Sequence, residues 1–487
     1  MIPFLYPTEL TLTCCLTKGP LFSCSDPSCP FYQRGLPRLK TMVRQLRISF
    51  SAMREVVSAI PCRARSLLTA VAVLGIALPP TPLCATEYTA TPDSYLERLR
   101  QLKAGDRLLL QPGEYQDGLK IQGLQGTPRA QIMLHGPASG APAIFLGREN
   151  ANTVSIKDSA YVVIRNLVLD GQDLPVDAVK AEGRSNWAHH ITLEHLFIVN
   201  HGNDQQVVGI NTQSPAWNWV IRHNVILGAG TGIYLGSSDG RQPFVHGIIE
   251  HNLILDTIGY NLQIKHQKQR PTIVALPIAS GETIIRGNIF MKGNRSSGGR
   301  MARPNVLVGH FPASGPGMED RYLIEGNIFL GNPGESLFQG EGNITLLHNL
   351  FINPFGNGIA IQPHHATPRR IEVARNFVAT QGFSIRVRGT DSRFPASLYD
   401  NETVDMSGPA WAKIDDGKNQ AVAHLKQTVV RWLTTGAPDD REFKSATPAL
   451  RQALSLVCGE HAKETVPTAR RRLSVEIGLL CDLVPQP

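Results

Sequence analysis

The chain has 487 residues, 42% of them hydrophobic, and a formal net charge of +8. That is enough apolar content for a large core and one or two domains. Nine of its 48 basic and three of its 40 acidic residues lie in positions 1–85, so the remainder carries only +2 and its charge balance excludes a basic field as grounds for a nucleic-acid partner.

The first segment reads as an export signal. Arg63 and Arg65 precede an apolar run from Leu67 to Leu78, followed by Pro-Pro-Thr-Pro-Leu-Cys-Ala at 79–85. A basic region, an apolar stretch and a small residue at a cleavage point define a secretory signal peptide. The run is too short to cross a bilayer comfortably, so no membrane span is expected in the mature protein. Thr-Pro-Leu before Cys84 is a poor lipidation site, and Met42 and Met53 are alternative starts. The expected location is periplasmic or secreted. Cys14, Cys15, Cys24, Cys29, Cys62 and Cys84 belong to this segment, which leaves Cys458 and Cys481. Export makes a disulfide between those two the expectation.

Residues 92–103 place Leu96, Leu99 and Leu102 on one helical face, with Asp93 or Ser94 as cap. A solenoid exposes an unpaired coil at its end, and such a helix is suited to cover it. From residue 166 onward one phrase recurs. Asn166, Asn224, Asn252, Asn288, Asn327, Asn349 and Asn376 each precede apolar residues, and His195 takes the same place in Glu-His-Leu-Phe-Ile. The steps are 29, 29, 28, 36, 39, 22 and 27 residues. A repeat of that size, with short β-type runs and Gly or Asn turns, specifies one coil per repeat. Asparagine suits the tight corner and can hydrogen-bond to its counterpart in the next coil. The asparagines are therefore read as structural, and His195 as a rung rather than a metal ligand.

A second run in each repeat alternates. It directs Ile210, Ile233, Leu235, Leu262, Ile264, Val306, Val308, Ile359, Ile361, Ile385 and Val387 inward. Asn211, Tyr234, Gln263, Lys265, Gln267, Gln362, Arg386 and Arg388 then point outward, with Gln339 in an ambiguous register. The two long steps insert loops around 268–280 and 294–304 or 311–320, carrying Lys268, Arg270, Arg295, Arg300 and Arg303. Such loops commonly wall a groove, and these cations suit an acidic ligand. Beyond 395 the pattern stops. Gln420–Trp432, a segment beginning at Thr447-Pro448 and Arg471–Leu483 read as helices.

The opening Gly105-Asp-Arg-Leu-Leu-Leu-Gln-Pro-Gly-Glu-Tyr115, together with the repeats over residues 92–395, resembles the pectate-lyase-like superfamily. The resemblance implies an all-β solenoid, a right-handed single-stranded parallel β-helix over 86–395. An N-terminal cap helix and a C-terminal α-helical extension over 396–487 complete the expected architecture. Activity is less determined, because one such fold hosts several chemistries.

The sharpest catalytic reading is β-elimination on a uronic-acid polysaccharide. Removing the proton next to a carboxylate needs a base, a cation on the carboxylate and an acid for the leaving oxygen. Lys265, in Asn-Leu-Gln-Ile-Lys-His-Gln at 261–267, is the candidate base. Arg303, Arg386 and Arg388 are candidate clamps, and His266, His310 and Tyr234 candidate proton carriers. Asn211, Tyr234, Gln263, Gln267, Gln362 and Arg386 would contact sugar.

This set is similar to that of chondroitinase-B-type and alginate lyases, which pair a strand lysine with an arginine beside calcium. The resemblance implies a calcium ion, yet residues 260–267 contain no acid, and Asp239, Glu282 and Glu341 are the nearest. No ligand set follows. His364-His365 is not read as a metal site, since neighbours on a strand face opposite ways. The expected partner is an acidic polysaccharide and the expected state a monomer. The alternative is a non-catalytic carbohydrate-binding or cell-envelope scaffold protein.

Overall fold

The computed structural model describes residues 85–405 apart from Asn294, Pro354 and Pro395. The signal-like segment through Cys84, the C-terminal helices, Cys458 and Cys481 lie outside the described residues. Three parallel sheets run the length of the described chain. The first extends from Glu87–Ala90 to Ser397–Tyr399, the second from Gly113–Tyr115 to Glu402–Asp405, and the third from Leu119–Gln122 to Ile385–Val387. Each coil contributes a short strand to each sheet and pairs in parallel with the coils before and after it. Leu262–Ile264, for example, lies between Thr231–Leu235 and Val306–Val308. The fold is a parallel β-helix. Its pairing continues past residue 395 through Ser397–Tyr399 and Glu402–Asp405.

The alternation of apolar and polar residues explains why these runs stack. Leu119 and Ile121 are buried while Lys120 and Gln122 are exposed. The interior positions expected on the third sheet are buried from Ile210 to Ile361, while Ile385 and Val387 are only partly covered. On the second sheet Phe290, Phe329 and Phe351 follow one another along the axis, with centroids 5.2 and 4.2 Å apart. Burying each such ring contributes roughly 2–3 kcal/mol relative to exposure. One α-helix, Tyr95–Gln101, buries Tyr95 and Leu99 against the first coils. The Tyr95 ring meets Tyr115 edge-on at 5.0 Å, and its hydroxyl donates to the Gly118 carbonyl at 2.7 Å. Among the described residues no helix is long and apolar enough to cross a membrane.

The corner between the first and second sheets is turned by one left-handed residue per coil. Asn166, His195, His223, His251, Gly287, Gly326, His348 and Arg375 occupy it, with φ between 53° and 61°. The next residue forms the asparagine ladder. In Asn252 the main-chain N–H and the side-chain Nδ2 both donate to Asn288 Oδ1, at 3.0 and 2.9 Å, and Nδ2 also donates to the Ile221 carbonyl at 2.8 Å. The same pattern links Asn224, Asn252, Asn288, Asn327, Asn349, Asn376 and Asn401.

This corrects the sequence register at two points. Strand pairing aligns Val168 with Phe197 and Phe197 with Val225, so Asn166 and His195 match His223 and not Asn224. Leu167 and Leu196 hold the ladder position in those coils, and the Leu196 N–H donates to Asn224 Oδ1 at 3.0 Å. An asparagine is tolerated at either place, because the left-handed corner and the ladder both suit it.

Candidate functional site

The outward face of the third sheet carries a pocket of about 320 Å³ that spans the coils from Leu262–Ile264 to Ile359–Ile361. That volume lies at the lower end of the range for small-ligand sites. Gln263 points outward within the strand and aligns with Tyr234 on one side and Leu307 on the other. Lys265 follows the strand. Main-chain hydrogen bonds place it beside Gly309, then Glu341, then Gln362 in successive coils. Gly309 is required here: a Cβ would stand 2.3 Å from the main-chain nitrogen of His266. The row from Lys265 to Glu341 therefore has no side chain in between.

Lys265 is half-buried, and among the described residues no hydrogen bond or ion pair engages its ammonium. Its Nζ lies 5.8 Å from the centroid of the Tyr234 ring. Burial lowers its pKa below the usual lysine value; Glu341 opposes that shift and Arg303 adds to it. Burial also pushes the Tyr234 hydroxyl up to about 12 and raises that of Tyr260, so both phenols stay protonated.

Residues 299–304 of the inserted loop form one wall with Arg300 and Arg303. A short 3₁₀ turn, Gly299–Met301, bends it, and Arg303 braces itself on the carbonyls of Arg300 and Ala302 at 3.1 and 2.8 Å. Two buried side chains anchor the loop from behind. Lys292 Nζ and Asn332 Nδ2 each donate to the Arg303 carbonyl at 2.8 Å. Asn332 Oδ1 accepts from the N–H of Glu335 at 2.9 Å, so one amide ties the arginine wall to a pocket carboxylate. Lys292 is only 2% exposed, and burial brings its pKa down to about 7, with Arg303 adding to the shift and Glu335 opposing it.

The opposite wall carries Glu341, His364 and His365. Glu341 is 2% exposed and accepts the main-chain N–H of His365 at 2.9 Å. His365 Nδ1 lies 3.0 and 3.2 Å from the two carboxylate oxygens. His266 stacks on His365 with centroids 3.8 Å apart, and burial, then His365 and His310, lowers the His266 pKa to about 4. His310 lies 5.6 Å from His266 and 5.8 Å from His365, ring to ring.

Of the residues expected from sequence, Lys265, His266, Arg303, Gln263 and Gln362 line the pocket, and His310 and Tyr234 adjoin it. Others lie elsewhere. Asn211 is buried and donates to Asp177 at 2.9 Å. Gln267 is buried and donates to the Phe244 carbonyl at 2.9 Å. The strand ends at Ile264, so alternation no longer governs Gln267. Arg386 lies over the Phe383 ring at 3.6 Å and Arg388 is exposed; neither lines the pocket.

Two of the five loop cations also serve the scaffold. Arg270 is buried against Asp320, and Arg295 donates to the Gly228 and Gly202 carbonyls. Tyr260, Arg300, Glu335, Gln339, Glu341, His364 and His365 also line the pocket. The ambiguous register at Gln339 is resolved outward: Leu337 and Phe338 are both buried, and Gln339 pairs with Leu307 and Ala360.

No protein-family model matches the chain, and no curated protein does. Solved structures similar to it include an alginate lyase from Paenibacillus sp. str. FPU-7, at 18% identity over 66% of this chain and 99% of that one, with a TM-score of 0.44. The A-module of a mannuronan C-5 epimerase from Azotobacter vinelandii is similar at 15% identity, over 64% and 89%, with a TM-score of 0.39. A mannuronic acid-specific polysaccharide family 6 lyase from human gut microbiota is similar at 15% identity, over 76% and 100%, with a TM-score of 0.35.

Calcium, the ion implied by the sequence resemblance, does not fit the cluster of His310, Glu341 and His365. It takes about six to eight oxygen ligands. Within the group formed by His310, Glu341 and His365, whose donor atoms all lie within 4.8 Å of one another, a single carboxylate meets two imidazoles.

Proposed function

We propose that this protein cleaves an acidic, uronate-containing polysaccharide by β-elimination. The observation that carries the reading is Lys265: a desolvated amine without an ion-pair partner among the described residues, sharing one pocket with Arg300, Arg303 and Tyr260. A lysine with a lowered pKa spends more time as the neutral amine a base requires.

In this mechanism the uronate carboxylate rests against Arg303 and Arg300, whose charge stabilises the enediolate that develops. Lys265 takes the C5 proton, and the C–H electron pair moves into the carboxylate. The C4–O bond then breaks as the C4=C5 double bond forms. The glycosidic oxygen takes a proton from the Tyr260 hydroxyl, and solvent returns one from the Lys265 ammonium to the phenolate. No water enters the product. The signal-like segment ending near residue 85 supports action outside the cytoplasm.

The test is the ultraviolet absorbance of the unsaturated uronate, followed while the protein is mixed with a panel of uronate polymers. A rise that Lys265→Ala abolishes supports elimination. Glu335 and Glu341 favour a second reading, hydrolysis, since they bring two carboxylates to one pocket. New reducing ends without that absorbance would select it. Retention on an acidic glycan without any cleavage would select a carbohydrate-binding protein.

A further inference from the structure

We infer that His310, Glu341 and His365 form a binding site for a divalent transition metal of the zinc class, opening on the pocket that holds Lys265. The three residues come from consecutive coils and bring their donor atoms within 4.8 Å of one another. Two imidazoles and a carboxylate are a donor set suited to zinc and its neighbours, with positions left open toward the pocket.

Three further observations support it. The first is the charge. Glu341 is buried at 2% exposure, and among the described residues no lysine or arginine forms an ion pair with it. A buried carboxylate is costly without a positive partner, and the His365 imidazole, 3.0 Å away and charged only when protonated, does not supply a permanent one. A bound dication would.

The second is the orientation of His310. Its Nδ1 lies 2.7 Å from the Phe311 carbonyl, which can only accept, so Nδ1 carries the proton and Nε2 presents its lone pair. Phe311 is packed in the core at 2% exposure, which holds that carbonyl in place. A main-chain carbonyl on the far nitrogen is the usual outer support of a metal-binding histidine.

The third is spacing. His365 Nδ1 stands 3.0 and 3.2 Å from the Glu341 oxygens. Two donors on one ion, each bound at about 2.0–2.2 Å, stand about this far apart. His266, stacked on the His365 ring at 3.8 Å, restrains that ring from behind. A hydrogen-bonded His–Glu pair serving only to hold the 363–368 loop would account for the contact between Glu341 and His365, but it leaves the aim of His310 unexplained.

The inference goes beyond the elimination reading and is tested without substrate, so the two can fail separately. The full chain, stripped with chelator, is titrated with zinc chloride and with calcium chloride by calorimetry, and its thermal unfolding is followed in parallel. The expected result is one equivalent of zinc bound at micromolar affinity or tighter, with a raised Tm, and no such effect from calcium at equal concentration. Glu341→Gln and His365→Gln should each weaken zinc at least tenfold; His365 sits at the exposed rim, so its variant keeps the test valid if Glu341→Gln does not fold. His223→Asn, in the stacked histidines of the opposite corner, should leave the affinity unchanged. Absence of zinc binding, equal binding of calcium, or binding kept by His365→Gln and lost in His223→Asn would each overturn the assignment.

Discussion

The ring of His266 lies on that of His365, with centroids 3.8 Å apart and planes 19° from parallel. Their strands are three coils apart along the third sheet, a separation of about 14 Å at the usual strand spacing. The contact exists because the loop after Ile359–Ile361 folds back toward the start of the solenoid and settles on Glu341. It makes one wall of the pocket from residues that strand register alone would hold apart.

Lys265 sets the pH response of the proposed reaction. Only the neutral amine can take a proton, so turnover should rise with pH and level off below the ordinary lysine value, because burial and Arg303 lower the folded pKa against Glu341. Lys265→Ala should cost about a thousandfold in kcat with KM little changed. A pH profile of kcat, measured on wild type and on Lys265→Arg, checks both statements. A profile in the arginine variant that matches wild type would remove Lys265 as base.

Lys292 should act on substrate through Arg303. Its ammonium is one of two donors to the Arg303 carbonyl, the other being Asn332. Lys292→Met removes one charge-bearing donor and leaves the carbonyl partly satisfied, a loss of about 1 kcal/mol in loop positioning. The expected result is a KM raised about fivefold, a kcat within twofold of wild type, and a Tm within a few degrees.

The asparagine ladder, read as structural from the sequence, should carry a measurable share of stability. Asn327 Nδ2 donates to Asn349 Oδ1, Ile285 O and Glu325 O, and its own oxygen accepts twice from Asn288. Asn327→Ala strands several of these buried groups and should cost about 3 kcal/mol in urea unfolding. Asn166→Ala, at a left-handed corner without ladder bonds, should cost about 1–2 kcal/mol. Equal losses would contradict the register described above.

The corner histidines make the fold sensitive to acid. His195, His223 and His251 stack with centroids 5.1 and 5.2 Å apart. Burial lowers all three pKa values, that of His223 to about 4, with its two neighbours and Arg222 adding to the shift and Glu250 opposing it. Glu194 and Glu250 face the stack, each paired with arginine: Arg165 and Arg222 on the first, Arg286 on the second. The rings are neutral in the folded chain and take up protons more readily when unfolded. Stability is therefore full above about pH 6.5 and falls as pH drops toward 4, by roughly 2 kcal/mol for His223 after allowing for solvent screening. His223→Asn fits the same backbone angle and should flatten that fall, as read from urea midpoints at neutral pH and at pH 4.5.

Much of the fold was legible because it is periodic. Leu262 and Ile264 alternate with Asn261, Gln263 and Lys265, and alternation fixes which face they bury. Lys265 and Arg303 were legible for the same reason, one beside an alternating strand and one in an unusually long repeat. Glu341 was not, because nothing in its local sequence marks it as buried, and its meeting with His365 depends on a returning loop. Asn166 misled because one residue type serves two adjacent backbone positions.

The ladder also divides the solenoid unequally. It starts at Asn224 and reaches Asn401, whereas the coils of Asn166 and His195 carry Leu167 and Leu196 at that position. The pocket, from Tyr260 to His365, falls wholly within the laddered stretch. In a stack whose coils touch only their neighbours, local opening follows the weakest interfaces. The machinery further along thus rests on coils joined at that corner by side-chain amides, whereas the Asn166 and His195 coils before it meet there through leucine.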